Sequence, residues 1–445
     1  MRIYKQTLFI SILYLLHIGE IYTQNNPNPN QGLDAFIVNE MAEERLPGAS
    51  TVIVKDGRIV WLSSYGFADI ANEIAVSDTT IFLLASISKV FTATAIMQLM
   101  EEGAIDLDEN VNDFLPWLLS IPQFPDAPIT FRQLMTHTSS IRDNDDVMDT
   151  YYDTPDPSMS LAECMQRYFS TGGQDYDSGN NFYSSIPSSR FEYSNIATAL
   201  NGYLVELISS TPFDEYCEDN IFNTLCMDNT SWFFRGLNPD QVATPYQYSN
   251  GNYQAIEHYG FADYPSGQLR SNVLDLANFM TAYLNGGNLG NKSILSMSSI
   301  NQMWTPQVPS LEPNQGLNWY QEELYHNNST SLLWGHAGGE SGASTDMYLD
   351  PLNKIGICVL TNGEGDAIEI CDKLYEYALS LDPESGFYPD CMTTSIIERD
   401  LPTTERKLVK IIDYLGREVP IRTNTPLIKV FSDGSTERIF ILNNP

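Results

Sequence analysis

Leu33, Phe36, Ile37 and Met41 recur at the three-to-four-residue spacing of a helix with one apolar face, and Pro47-Gly48 ends it. Two β-branched runs follow, at 50–54 and 58–63, joined through Lys55-Asp56-Gly57, whose Asp-Gly pair is a strong hairpin signal. From 86 to 102 the chain is apolar on nearly every side, rich in alanine, threonine and methionine, and stops at Gly103. A helix of that kind has no solvent face and must be buried. The stretch from 105 to 295 alternates helical segments, at 195–209 and 272–284, with long loops rich in Asp, Asn, Ser, Tyr and Pro. Strand patterns return at 332–335, 343–349 and 355–360, and a last helix is predicted at 367–381.

This order predicts an α/β fold. The opening hairpin and the closing strands make one antiparallel sheet flanked by the N- and C-terminal helices, and the middle makes a mostly helical second lobe. A cleft between the two is the expected site. Residues 32–382 form this unit, 383–404 read as a linker, and 405–445 as a small β module with strands at 407–413, 427–431 and 438–442. That tail holds seven Lys/Arg against five Asp/Glu, a local excess of positive charge in a chain whose net charge is −34.

So acidic a chain without a basic patch repels a polyanion, which argues against a nucleic-acid partner. At the N-terminus, Arg2 and Lys5 precede an apolar run from 8 to 18 and then polar residues to Gln24, the layout of a secretory signal over 1–24. The run is too short to span a bilayer, so no stable membrane span is expected. A polar spacer, 25–31, follows. The six cysteines are an even number, and export would permit disulfides; Cys217 and Cys226 could close a short loop, although buried free thiols are an equal alternative for any pair. Neither CxxC nor HExxH occurs, so no zinc site and no other cofactor are implied.

Chemistry enters at Ser86-Ile87-Ser88-Lys89, where a strand-like run at 81–84 passes into the buried helix. Positions three apart share a helix face, so the Lys89 amine comes within reach of the Ser86 hydroxyl. Lysine in a dry pocket loses its proton more readily and can serve as the base that makes an alcohol nucleophilic. Read blandly, Ser86 caps a helix and Lys89 points to solvent. Of the nine lysines, Lys89 alone has a serine three residues earlier, and a helix that would bury a lone lysine favours the functional reading.

The segment Phe82-Leu83-Leu84-Ala85-Ser86-Ile87-Ser88-Lys89 resembles the nucleophile segment of class C β-lactamases, D-alanyl-D-alanine carboxypeptidases and related esterases. The turn at 101–108 and the stretch 129–140 are similar to the same superfamily, over about 32–382. The resemblance implies a second motif, Tyr-x-Asn, which four places satisfy: Tyr193, Tyr248, Tyr283 and Tyr325, each with an asparagine two residues on. Tyr193 and Asn195 stand at a loop-to-helix junction that would aim both into the cleft, and they are preferred. By resemblance, Tyr193 relays a proton to the leaving group, and Asn195 binds substrate and helps orient Lys89. The third motif is Lys-Thr-Gly in β-lactamases and often His-x-Gly in the peptidases and esterases. Here it falls to His336-Ala337-Gly338-Gly339, on a strand expected to line the cleft, rather than to His258-Tyr259-Gly260. The glycines would let substrate backbone approach, and the Gly339 and Ser86 amides would form the oxyanion hole.

His336 in place of lysine departs from the β-lactamases, because a neutral imidazole attracts a substrate carboxylate less than a fixed ammonium. His137 reads as a structural residue, and the cluster Asp143, Asp145, Asp146 and Asp149 as a solvated surface. The run at 407–418 resembles C-terminal sorting domains of type IX secretion, which implies export across both membranes with that machinery as a partner; the other reading is a small β appendage. The expectation is therefore a secreted serine hydrolase cleaving an ester or amide of a small-molecule or peptide substrate. A catalytically silent binding protein and a true β-lactamase are the alternatives.

Overall fold

The computed structural model describes residues 26–389, 391, 408–412, 417, 419, 426–431 and 436–440. The expected export signal lies outside them. Contacts divide the chain into two units, Met1–Thr393 and Thr394–Pro445.

Helix α1, Gln31–Glu43, buries Leu33, Ile37 and Met41, the stripe its spacing predicts, and Asn30 caps it by accepting from the amides of Gly32 and Leu33. Strands β1, Gly48–Lys55, and β2, Arg58–Asp69, form the hairpin. Asp56 and Gly57 both have positive φ (48° and 77°), the left-handed pair that a two-residue turn between right-twisted strands requires. The closing strands are β3 (Tyr320–His326), β4 (Ser329–Glu340), β5 (Ala343–Asp350) and β6 (Ile355–Thr361). β6 pairs antiparallel with β1, Val52 opposite Cys358, so the first and last parts of the body meet in one sheet ordered β3-β4-β5-β6-β1-β2, with the short strand Ile74–Ala75 beyond β2.

Strand β3 has no counterpart among the elements predicted from the sequence. The paired strands meet through Asn327 and Asn328, both at positive φ (47° and 60°), a second hairpin turn whose signal was the Asn-Asn pair itself.

β1 is buried on both faces. Ile53 points into a cluster with Leu33, Ile37, Trp61, Ile370 and Leu374, where α1 and the terminal helix α5 (Ile368–Ser380) cover the sheet. Val52 and Val54 point the other way, into the large core under the helical lobe. A strand covered on both sides loses its polar alternation, which is why this run reads as continuously apolar.

The lobe is built on α2 (Ser88–Glu101), α3 (Asn195–Ser209) and α4 (Val273–Leu284). In α2 every residue from Ser88 to Leu99 is buried, and Phe91 stacks on Phe279 of α4 at 4.1 Å. Tyr283 of α4, one of the four Tyr-x-Asn tyrosines, is fully buried and bonded to Thr94 at 2.6 Å.

Asp143 corrects the reading of its cluster. Its carboxylate accepts from the amides of Asn195 (2.8 Å) and Ile196 (3.1 Å) and from the Ser194 hydroxyl (2.8 Å), satisfying the free donors at the start of α3. Only its neighbours Asp145, Asp146 and Asp149 are exposed.

Residues 383–389 and 391, read as the start of a linker, lie against the body. Phe387 exchanges backbone hydrogen bonds with Ile59, Arg58 pairs with Glu384 at 2.9 Å, and Cys391 is disulfide-bonded to Cys226. Cys217 is a buried free thiol, so the short loop considered from sequence is not closed. Asn28, in the expected spacer, likewise binds the Val60 carbonyl at 2.8 Å. In the second unit, Leu408–Ile412, Pro426–Phe431 and Thr436–Phe440 form a three-stranded antiparallel sheet. Among the described residues no helix is long and apolar enough to cross a membrane.

Asp143→Ala is expected to cost about 1–3 kcal/mol, the scale of leaving buried donors unpaired. The exposed control Asp146→Ala should stay within about 0.5 kcal/mol of the parent. Urea midpoints of the two variants measure both.

Candidate active site

From Thr80 to Leu99 every residue is buried except Ser86. Ser86 lies in a single 3-10 turn, Ala85–Ile87, one turn earlier than the α-helix proper. Ala85 holds φ at 48°, a left-handed conformation that a residue with a Cβ adopts only where surrounding contacts enforce it. Those contacts are visible. The Leu84 carbonyl accepts from the Thr345 hydroxyl at 2.7 Å, the Leu84 amide donates to Leu269 at 2.8 Å, and Ser88 Oγ accepts from the Leu269 amide at 3.0 Å. The turn is pinned to the sheet on one side and to the lobe on the other, and Ser86 is left as the one partly exposed residue of the stretch.

Lys89 is fully buried, with its Nζ 3.0 Å from Ser86 Oγ and 2.5 Å from the carbonyl oxygen of Ser266. Burial pulls its pKa down to about 7, although the carboxylates of Asp143, Glu340 and Asp263 act against that pull. An amine that is half neutral near pH 7 can take a proton from a serine hydroxyl. Ser266 was not anticipated from sequence. It enters because the turn at 264–267 packs against α2, where Thr92 also donates to the Pro265 carbonyl at 2.7 Å.

Tyr193 extends its ring beneath the Lys89 ammonium, 4.9 Å from the ring centre. As a residue it is 41% exposed, but burial pushes its hydroxyl above the usual phenol range while neighbouring Ser86 acts in the opposite direction. Asn195 begins α3 one turn away and is half-buried. Its side chain has no hydrogen-bond partner among the described residues, and the Lys89 amine is oriented by Ser86 and Ser266 instead. The orienting role that the resemblance implied for Asn195 is thus filled by a backbone carbonyl.

His137 is a structural residue, as its sequence context suggested. Buried, at φ 54°, it accepts the Ser194 amide on Nδ1 at 3.2 Å, and its ring lies 4.4 Å from that of Tyr193. It supports the tyrosine from behind.

His336 closes the opposite wall, its ring centre 6.2 Å from that of Tyr193. Burial and then the Lys89 charge lower its pKa to about 3, so the imidazole is neutral at physiological pH. Nδ1 lies 2.5 Å from the Ala337 carbonyl, which can only accept, so the proton sits on Nδ1 and Nε2 is left as an acceptor. The two glycines divide their work. A Cβ on Gly338 would collide with the Leu84 carbonyl and the Thr345 hydroxyl, so this glycine lets β4 close on the nucleophile turn. A Cβ on Gly339 would meet nothing within 4 Å, on the face of β4 opposite to that of Gly338.

The structure therefore brings Ser86, Lys89, Tyr193 and His336 together, with Gly338 against the nucleophile turn and Gly339 next to it. The competing motif places are elsewhere: Tyr248 lies on the hairpin Tyr246–Ser249/Asn252–Ala255, Tyr325 is exposed on β3, and His258 stacks on Phe234 at 4.5 Å.

Comparison with known proteins places the fold in a family. Protein flp of Staphylococcus aureus strain MW2 is 25% identical over 333 residues, 75% of this chain but 63% of that protein, so the chain spans less than two thirds of the length of these staphylococcal relatives. Beta-lactamase-like protein 2 of Dictyostelium discoideum is 25% identical over 442 residues, covering 89% of this chain and 76% of that one. Among solved structures, the octameric penicillin-binding protein homologue from Pyrococcus abyssi superposes with a TM-score of 0.62 at 26% identity, over 92% of this chain and 89% of that chain. The profile of the Beta-lactamase family matches residues 33–379, nearly the whole first unit, and the chain belongs to that family.

Proposed function

We propose that this protein is a serine hydrolase that cleaves an ester or amide through an acyl group carried on Ser86. The observation that carries the reading is the 3.0 Å contact between the Ser86 hydroxyl and a fully buried lysine whose pKa is drawn down to about 7. Ser86 Oγ attacks the carbonyl as its proton passes to Lys89 Nζ, and the Ser86 and Gly339 amides receive the developing oxyanion. Tyr193 delivers a proton to the departing alcohol or amine, Asn195 and His336 contact substrate, and water then releases the acyl group. No cofactor takes part in these steps. A neutral His336 offers no fixed positive charge to the carboxylate of a β-lactam, which supports an esterase or peptidase over a β-lactamase.

The same reading includes export. The signal-like residues 1–24 and the sorting-like tail at 405–445 suit a secreted protein that uses the type IX machinery, periplasmic if the tail is only an appendage.

A fluorophosphonate should phosphonylate the intact protein once, adding the mass of the probe less HF as fluoride leaves, and should leave Ser86→Ala unmodified; absence of adduct on both would favour a silent binding protein. Nitrocefin turnover should be slow, and rapid turnover would restore the β-lactamase alternative. Because Lys89 must be neutral to accept the proton, kcat/KM for a neutral ester should rise about tenfold per pH unit below about 7 and level off above it. A profile flat from pH 5 to 9 would contradict lysine as the base. A reporter carrying an export signal and residues 400–445 should reach the cell surface; retention in the periplasm would remove the sorting role.

A further inference from the structure

Glu340 takes no part in the steps above, yet it stands at their edge. Alternate residues of a strand share a face, so His336, Gly338 and Glu340 lie on one side of β4. That side is the one pressed against Leu84 and Ala85 of the nucleophile turn. Glu340 also directly follows Gly339, whose amide is assigned to the oxyanion. Its side chain is half-buried and takes a hydrogen bond from the Tyr152 hydroxyl at 3.2 Å. Among the described residues no lysine or arginine forms an ion pair with it, although its charge reaches Lys89 and Tyr193 across the site.

The surroundings hold this carboxylate in place. The Tyr259 hydroxyl donates to the carbonyl of the next residue, Ser341, at 2.7 Å. Tyr152 packs beside Phe261 and Tyr259, with ring centres 5.1 and 5.7 Å apart. Tyr152 remains 42% exposed, so its ring and the half-buried Glu340 carboxylate, which has no ion pair among the described residues, are open to solvent together. Of the two other acids that act on Lys89, Asp143 is taken up by the first turn of α3, and Asp263, 3% exposed, receives the Ser266 hydroxyl at 3.2 Å, which puts it out of a substrate's reach. A carboxylate beside an aromatic face is the pairing that holds an organic cation, by charge and by the ring's negative face.

We propose that Glu340 and Tyr152 form a subsite for a protonated amine on the substrate, so that the enzyme selects aminoacyl esters and amides over neutral ones. This rests on the hydrolase reading and narrows its substrate class.

The test compares the benzyl ester of alanine, each enantiomer separately, with benzyl isobutyrate, in which a methyl replaces the ammonium, by release of benzyl alcohol from the full chain. At least one alanine enantiomer should exceed the isobutyrate in kcat/KM by about tenfold or more, the scale of one hydrogen bond to a charged group. Glu340→Gln should collapse that ratio toward one, and Glu340→Lys should invert it. The ratio is internal to each variant, so a variant that folds less well still reports selectivity. A wild-type ratio near one, or a ratio unchanged by Glu340→Gln, overturns the assignment of Glu340 while fluorophosphonate labelling of Ser86 still stands. Failure of that labelling overturns the hydrolase reading, and this subsite with it.

Discussion

A primary amine held away from water is the constraint on which this molecule turns. Transferring an ammonium into an apolar interior is costly, and a protein meets that cost by pairing the charge or by shedding the proton. Lys89 does part of each. Its Nζ has a hydroxyl and a carbonyl for partners, three carboxylates act on it from further off, and burial still brings it to about 7. The same dryness that makes it a poor place for a charge makes it a serviceable place for a base.

Keeping Lys89 dry requires both halves of the first unit. α2 carries the lysine, but the sheet supplies the Thr345 hydroxyl and the flank of Gly338 that fix the turn before it, and the lobe supplies the Ser266 carbonyl and the Leu269 amide. The site is consequently a joint between layers. The left-handed Ala85 fits this view, since backbone strain of that kind persists only where neighbours on several sides hold it.

A similar division governs Tyr193. The tyrosine sits just outside α3, where its position depends on how the helix begins. Asp143 takes up the free donors of that first turn, His137 backs the ring and accepts the Ser194 amide, and both come from a loop some fifty residues earlier. Asp143, which looks like surface decoration in a linear reading, thus becomes a support beside the structural imidazole of His137.

What the sequence alone determined is whatever depends on neighbours along the chain. The apolar stripe of α1, the Asp56-Gly57 turn, the mostly apolar α2 and the strands around His336 were legible because helix and strand periods and turn chemistry are local properties. Ser86 and Lys89 were legible for the same reason, being one helical turn apart. The strand Tyr320–His326 escaped notice because its polar residues hid the alternation, leaving only the Asn-Asn turn as a clue. The pairing of Cys226 with Cys391, the capping by Asp143, the carbonyl of Ser266 and the approach of Gly338 to the nucleophile turn were decided by tertiary structure alone. Each joins residues tens to hundreds of positions apart, and which distant groups share a site is set by how the sheet and helices pack around one core, a relation no local pattern encodes.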